Sequence, residues 1–283
     1  MTRKKIIILW HNGGRLANQL WLYINLYAYC LEKNLVLKNP SFFEYSRYFN
    51  IKNTNRVLSI INIIIPTKIL RLIYKLFIRI IILINQKKLI RTKDLIELPP
   101  IATNYPEIFK KLETGQIDKL YTHGWLFRSP IGIEKYHSEI CQYFAPKKRY
   151  LNKIEKFLSP IRLQSKKIIG VHVRQGDYKK INDATFTYYN ETEVNSRLLK
   201  YLEINQENKN DICFVIVSDG KINLNLFDSS LNIKHYRGNL ISDLFLLTKT
   251  DLIICSNSSF SLFAAYYGQI KAILFSELPL KTS

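Results

Sequence analysis

Only 4 cysteines, 1 methionine and 3 tryptophans occur among the 283 residues, and glycine and proline contribute 10 and 9. With 47% apolar residues beside so little glycine and proline, a disordered chain is excluded and one large or two small packed domains are expected. Cys30, Cys141, Cys213 and Cys255 lie far apart without metal-ligand spacing, so they read as buried, reduced thiols of a cytosolic protein. His11, His123, His137, His172 and His235 pair with no other His, Cys or carboxylate at such spacing, and no metal is expected. Long apolar runs are missing too. The one after the basic Met1 to Lys5 stops at His11-Asn12-Gly13-Gly14, too short for an export signal, and reads as a first strand.

Acid is missing altogether between Tyr45 and Lys93, where eleven Lys or Arg stand without one Asp or Glu. The whole chain carries a net charge of +20, which makes anions the expected partners. Within this Ile-rich stretch Lys68, Arg71, Lys75 and Arg79 recur at helical spacing on one narrow face, and Ile69, Leu72, Ile73, Leu76, Phe77, Ile80 and Leu83 cover the rest. Such a helix suits peripheral contact with an anionic membrane through about residues 66–93, or packing into the protein with its charged stripe solvated. Charges interrupt the apolar run too often for a spanning helix, which needs about 20 nearly uncharged residues. The expected location is cytoplasmic, with a place at the inner face of the membrane as the alternative. Nucleic acid is not an expected partner, because the basic residues cluster in this insertion and no RNA- or DNA-binding motif is present; a non-enzymatic basic binder remains the rival class.

After about residue 150, short β-rich runs alternate with helix-like stretches. The expected strands are Lys167 to Val173, Ile212 to Val217, Ile233 to Tyr236, Leu252 to Cys255 and Ala272 to Phe275, with crossover helices over Thr192 to Ile204, Leu240 to Thr248 and Ser258 to Tyr267. That order implies an α/β fold with a parallel, doubly wound sheet, whose ligands bind beyond the carboxyl ends of the strands. The first half is less regular: a strand over Lys5 to Trp10, a helix over Leu16 to Glu32, an insertion over about 45–100, a strand at Leu120 to Trp125 and a helix near Ile133 to Tyr143. Two domains, 1–150 and 151–283, are expected.

Four motifs sit where strands end. In Val171-His172-Val173-Arg174-Gln175-Gly176-Asp177-Tyr178, residues two apart share a strand face, so His172 and Arg174 project together. Arg174 offers a fork of donors suited to a diphosphate, and Gly176 permits a sharp turn that presents Asp177. A structural ion pair between Arg174 and Asp177 is the plainer reading. Cys255-Ser256-Asn257-Ser258-Ser259-Phe260 opens a helix whose positive end favours an anion, or merely caps it through Asn257 or Ser258. In Gly13-Gly14-Arg15-Leu16-Ala17-Asn18-Gln19, the glycines allow close approach of a phosphate and Asn18 and Gln19 can orient sugar hydroxyls, or the segment is a bare turn. Asp219, in Val217-Ser218-Asp219-Gly220, can accept from a ribose or base, or serve the turn.

In this order and at these separations the four pieces resemble the bacterial alpha-1,2-fucosyltransferases, glycosyltransferase family 11. The central His-Val-Arg-x-Gly-Asp-Tyr and the closing Asn257-Ser258-Ser259-Phe260-Ser261 followed by aromatics and Ala264-Ala265 carry the likeness, and Asp243-Leu244-Phe245-Leu246-Leu247 fits it. Ala17 stands for a usual Gly, Gln175 for a frequent Arg, Gly220 for a frequent Asp, and Leu262-Phe263 for two tryptophans. The resemblance implies two facing Rossmann-like domains of the GT-B kind, an acceptor side before residue 150 and a nucleotide-sugar side after it. It also implies an inverting transfer of fucose from GDP-fucose, without a metal, to the 2-hydroxyl of a galactoside in a surface glycan, free or lipid-linked. By the same likeness Arg174 binds the diphosphate, with Ser258 and Ser259 supporting it. His172 and Asp219 lie near the guanosine, and Asn18 faces the fucose or acceptor. Gly14, Asn257 and Phe260 complete the expected donor-binding set. Asp177 is the expected general base, since an attacking hydroxyl must lose its proton to a carboxylate within reach. A transferase of the same fold with another donor or linkage is the alternative.

Overall fold

The computed structural model describes residues 5–51, 60–61, 64–86, 95–97, 107–124, 127–176, 178 and 187–278. These divide into two compact units, Met1–Ala145 and Pro146–Ser283.

The first unit runs β1 (Ile6–Asn12), α1 (Leu16–Glu32), β2 (Val36–Lys38), α2 (Phe43–Ser46), α3 (Thr67–Gln86), β3 (Leu95–Glu97), α4 (Glu107–Thr114), β4 (Lys119–Gly124), α5 (Pro130–Lys135) and α6 (His137–Tyr143). Its strands form one parallel sheet in the order β2-β1-β4-β3. The expected single helix near Ile133 to Tyr143 is two, because Tyr136 (φ −106°, ψ 27°) leaves helical geometry between α5 and α6. Pro130 starts α5 early, its ring pre-set for a first helical position. Helix α1 is buried along most of its length, and Tyr23 packs edge-on to Phe42 at 5.4 Å and to Phe144 at 4.8 Å. Leu70 and Ile78 bury the inner face of α3, Tyr74 meets Phe43 at 5.3 Å, and Arg71 pairs with Glu44.

The second unit runs α7 (Lys148–Gln164), β5 (Lys167–Val173), α8 (Glu191–Asn205), β6 (Ile212–Ser218), β7 (Ile233–His235), α9 (Leu240–Leu247), β8 (Leu252–Cys255), α10 (Ser259–Gly268) and β9 (Ala272–Leu274). All five strands are parallel, in the order β7-β6-β5-β8-β9. Counted within the unit this is 3-2-1-4-5, the Rossmann order, and it reverses direction between β5 and β8. β5 is covered on both faces, which is why its sequence is a nearly unbroken apolar run. Ile169, Val171 and Val173 join the core beneath α8 with Val194, Leu198 and Phe214. On the opposite face Gly170 lets α9 approach, since a Cβ there would lie 2.8 Å from Leu247 Cδ2 and 2.9 Å from Thr250 Oγ1. Helix starts follow local chemistry: Asn190 with Glu193 opens α8 and Asn239 with Ser242 opens α9 as reciprocal capping boxes.

All four cysteines are free; Cys30, Cys213 and Cys255 are buried, whereas Cys141 is half-buried with its Sγ 3.5 Å from His137 Nε2. Among the described residues no helix is long and apolar enough to cross a membrane, and no group of three His, Cys, Asp or Glu is placed to hold a metal ion.

Candidate functional site

The reversal between β5 and β8 leaves a crevice at their carboxyl ends, because the connections leaving the two strands run to opposite sides of the sheet. The motifs from both strands meet there. Arg174 N donates to Ser256 Oγ at 3.1 Å, Ser256 N donates to the His172 carbonyl at 3.1 Å, and the Tyr178 hydroxyl donates to the Asn257 carbonyl at 2.6 Å. Arg174 lies over the Tyr178 ring, 5.5 Å from its centre. The loop after β5 and the loop opening α10 are therefore stitched together.

From the other side comes β6. Asp219 Oδ1 accepts the backbone N–H groups of Gln175 at 2.8 Å and Gly176 at 2.9 Å, and its Oδ2 pairs with Arg174 Nε at 3.2 Å. One acidic partner of Arg174 is thus supplied by the neighbouring strand. Asp177, the partner suggested by proximity in sequence and the expected base, lies outside the described residues. Burial works to raise the Asp219 pKa, but the two amides, with Arg174, outweigh it and hold the carboxyl below the usual range. Gly176 serves here by close approach: a Cβ on it would lie 2.6 Å from Asp219 Oδ2.

His172 is buried, and burial, reinforced by the Arg174 charge, pushes its pKa down to about 4, so the imidazole is neutral near pH 7. Its Nδ1 lies 2.6 Å from Ser261 Oγ, and its ring packs at 4.9 Å against Phe260. Ser258 caps α10, its Oγ accepting from Phe260 N at 3.2 Å, as the capping reading expected; the positive end of a ten-residue helix still faces the crevice. Ser258 is buried, Ser259 half-buried and the Asn257 side chain exposed.

These elements border an open recess lined by His172, Arg174, Ser218, Asp219, Asp243 and Phe260, with Val217 and Leu240. Asp243 is the residue that sequence reasoning did not single out as a site residue. It sits in the first turn of α9, its Oδ1 is buried without a hydrogen-bond partner among the described residues, and burial raises its pKa to about 7, partly opposed by the Gly238 amide. The signal available in the sequence was one acid within the apolar run Leu240 to Leu247.

Asn18 and Gly14 belong to the first unit, at the start of α1. Gly14 has φ +77°, and a Cβ on it would lie 2.6 Å from Asn18 Nδ2. Glycine is required there by backbone conformation and by the half-buried Asn18 alike. Gln19 Nε2 donates to the Gly14 carbonyl at 3.2 Å, while its buried Oε1 has no partner among the described residues.

A family model, Glycosyl transferase family 11, matches residues 107–279, which include every one of these second-unit residues. The chain belongs to glycosyl transferase family 11. Solved structures share the fold of this family member. A mutant of Arabidopsis thaliana FUT1 in complex with GDP is 11% identical, with 96% of this chain and 70% of that one covered and a TM-score of 0.55. POFUT1 in complex with GDP-fucose is 13% identical over 97% and 98%, with a TM-score of 0.58. NodZ alpha-1,6-fucosyltransferase soaked with GDP-fucose is 13% identical over 93% and 92%, with a TM-score of 0.52. At such identities the likeness shows the fold, which is α/β and GT-B-like, with a parallel sheet in each unit. No curated protein matches the sequence.

Two departures from the family pattern touch each other. A Cβ on Gly220 would collide with the Gln175 side chain, lying 2.8 Å from its Cβ. Gln175 and Gly220, where the resemblance led to an expected Arg and Asp, thus face each other. Gly220→Asp alone is expected to cost about 1–3 kcal/mol through overpacking, and Gln175→Arg, which keeps the Cβ that the new side chain meets, to leave most of that cost in place in the double variant. Urea unfolding of the two single variants and the double variant measures the coupling.

Proposed function

We propose that this family 11 enzyme transfers L-fucose from GDP-fucose, with inversion and without a metal, to the 2-hydroxyl of a galactoside in an oligosaccharide or lipid-linked surface glycan. The observation that carries the reading is the joining of Arg174, held by Asp219, to the Ser258-capped start of α10 beside one recess.

In the reaction the C1–O bond from fucose to the β-phosphate breaks as the acceptor oxygen attacks the opposite face, and the acceptor proton passes to a base. Negative charge grows on the departing diphosphate. Arg174 and the positive end of α10 are preorganised to meet it, and one such donor is typically worth roughly 100-fold to 1000-fold in rate. Ser258 and Ser259 lie at that helix end, and Asp219 acts by aiming Arg174 while facing the nucleoside. In the first unit, Gly14 leaves room beside Asn18, which is proposed to orient fucose or acceptor hydroxyls. Asp177 is the proposed base.

The base on the nucleotide follows from the chemistry of Asp243. A carboxylate only accepts hydrogen bonds, and guanine is the common base whose Watson–Crick edge presents two adjacent donors, N1–H and N2–H. An unpartnered buried Oδ1 at the recess wall suits that edge, with the neutral His172 and the Phe260 ring beside it. GDP- and GDP-fucose-bound solved structures of the same fold support the donor. The linkage rests on the family motifs, because a fold shared with an alpha-1,6-fucosyltransferase does not set it.

Arg174→Ala is expected to lower kcat at least about 100-fold with the circular dichroism spectrum unchanged; near-normal turnover in a folded variant removes Arg174 from the reaction. Asp177→Asn is expected to remove the acidic limb of the pH–rate profile, the rise in rate as the base deprotonates, and a profile like that of the parent rules Asp177 out. Asp243 gives a pH signature. In the unliganded protein its folded pKa is raised, so the folded state binds more protons than the unfolded state between the ordinary carboxylate range and about pH 7, and stability falls as pH rises through that window. Binding a base with two donors needs the ionised form, so GDP should raise Tm more at pH 8 than at pH 6. Asp243→Asn should raise the unliganded Tm at pH 8 while abolishing most of the GDP shift, and a GDP shift that survives intact refutes the guanine contact.

A further inference from the structure

Helix α3 is buried on one side only. Leu70 and Ile78, with the half-buried Tyr74 and Ile81, form its inner face, and Arg71 is tied to Glu44. The seven apolar side chains from Ile69 to Leu83 on the outer arc are 49% to 68% exposed, and Ile64 just before the helix is 80% exposed. At 100° per residue these seven span about 140° of the helix circumference, roughly opposite the inner face. Lys68, Lys75 and Arg79 form an exposed ridge along one border of that arc. A patch of large apolar side chains left in water over about four turns marks an interaction surface.

We propose that this outer face of α3 docks on an anionic lipid surface, with the helix lying in the plane of the headgroups, its apolar arc in the acyl boundary and Lys68, Lys75 and Arg79 at phosphate depth. Charge selects the occupant. Between Tyr45 and Lys93 there are eleven Lys or Arg and no acid. A second copy of this chain would set the same cationic border against itself, whereas anionic lipid neutralises it, and each Lys or Arg near such a surface contributes about a fivefold gain in binding. The apolar arc adds a term independent of charge, so the surface has both signals that stable peripheral binding needs. Burial of Leu70 and Ile78 against the unit fixes which face is left for the lipid. A transferase held this way would work where lipid-linked acceptors are.

The test is flotation of the full chain with vesicles of phosphatidylcholine alone and of phosphatidylcholine mixed with phosphatidylglycerol. The parent is expected to float with the mixed vesicles, far less with the neutral ones, and more weakly as salt rises. Lys68→Gln, Lys75→Gln and Arg79→Gln together should weaken that binding roughly 100-fold. Leu72→Ser, Leu76→Ser and Ile80→Ser together should abolish it with Tm unchanged. Phe77→Trp, which keeps the face apolar, should add an emission component, absent from the parent, that shifts to the blue on adding mixed vesicles. Absence of flotation, equal flotation with both vesicle types, or no such shift in the Phe77→Trp variant overturns the proposal. So does a parent dimer that the serine variant converts to monomer without any loss of vesicle binding.

Discussion

One carboxylate organises the crevice of the second unit. Asp219, at the tip of β6, takes the amides of Gln175 and Gly176 and the Nε of Arg174, so residues 174–176 at the exit of β5 are tied to the neighbouring strand. Ser256 fixes the same loop from β8 through Arg174 N and the His172 carbonyl. Three adjacent parallel strands therefore converge on one loop at the point where the sheet order reverses. A cation in that place needs no rearrangement when charge appears on a leaving group, which is the condition under which electrostatic stabilisation is effective.

The neighbours of Arg174 are tuned by the same packing. His172 is kept neutral by burial and by the adjacent guanidinium, so it adds hydrogen-bonding capacity without a second positive charge. Asp243 is the opposite case: burial leaves its carboxyl costly to ionise, and its Oδ1 has no partner among the described residues. A group that destabilises the empty protein near neutral pH is one that a ligand can relieve, which is how binding energy is stored at functional sites.

How much of this was legible in the sequence depended on burial on both faces. β5 and β8 match their expected bounds residue for residue, Lys167–Val173 and Leu252–Cys255, because central parallel strands are unbroken apolar runs between polar ends. β2 and β3 were missed: each is a three-residue edge strand, too short to show a period. Helix α7 was missed as well, since only Tyr150, Ile154, Leu158 and Ile161 are buried along a charged segment. At the site, the motif around Arg174 was visible, yet the acid that holds Arg174 comes from 45 positions further along the chain (219 − 174), at the end of the next strand in the sheet. Asp243 escaped notice because an acid in an apolar helix does not reveal from sequence whether it points to solvent or to a recess. For α3, the sequence left burial and exposure as alternatives, and the structure has one face of each kind.

The central claim is that Arg174 and the start of α10 hold a diphosphate next to a guanine-selective wall. Calorimetric titration of the protein with GDP, GMP and ADP, in the presence of a metal chelator, tests it most directly. The account predicts that GDP binds at least about tenfold more tightly than either GMP or ADP, a difference of about 1.4 kcal/mol or more. Equal affinity for GDP and GMP would contradict the diphosphate cradle, and equal affinity for GDP and ADP would contradict the guanine wall.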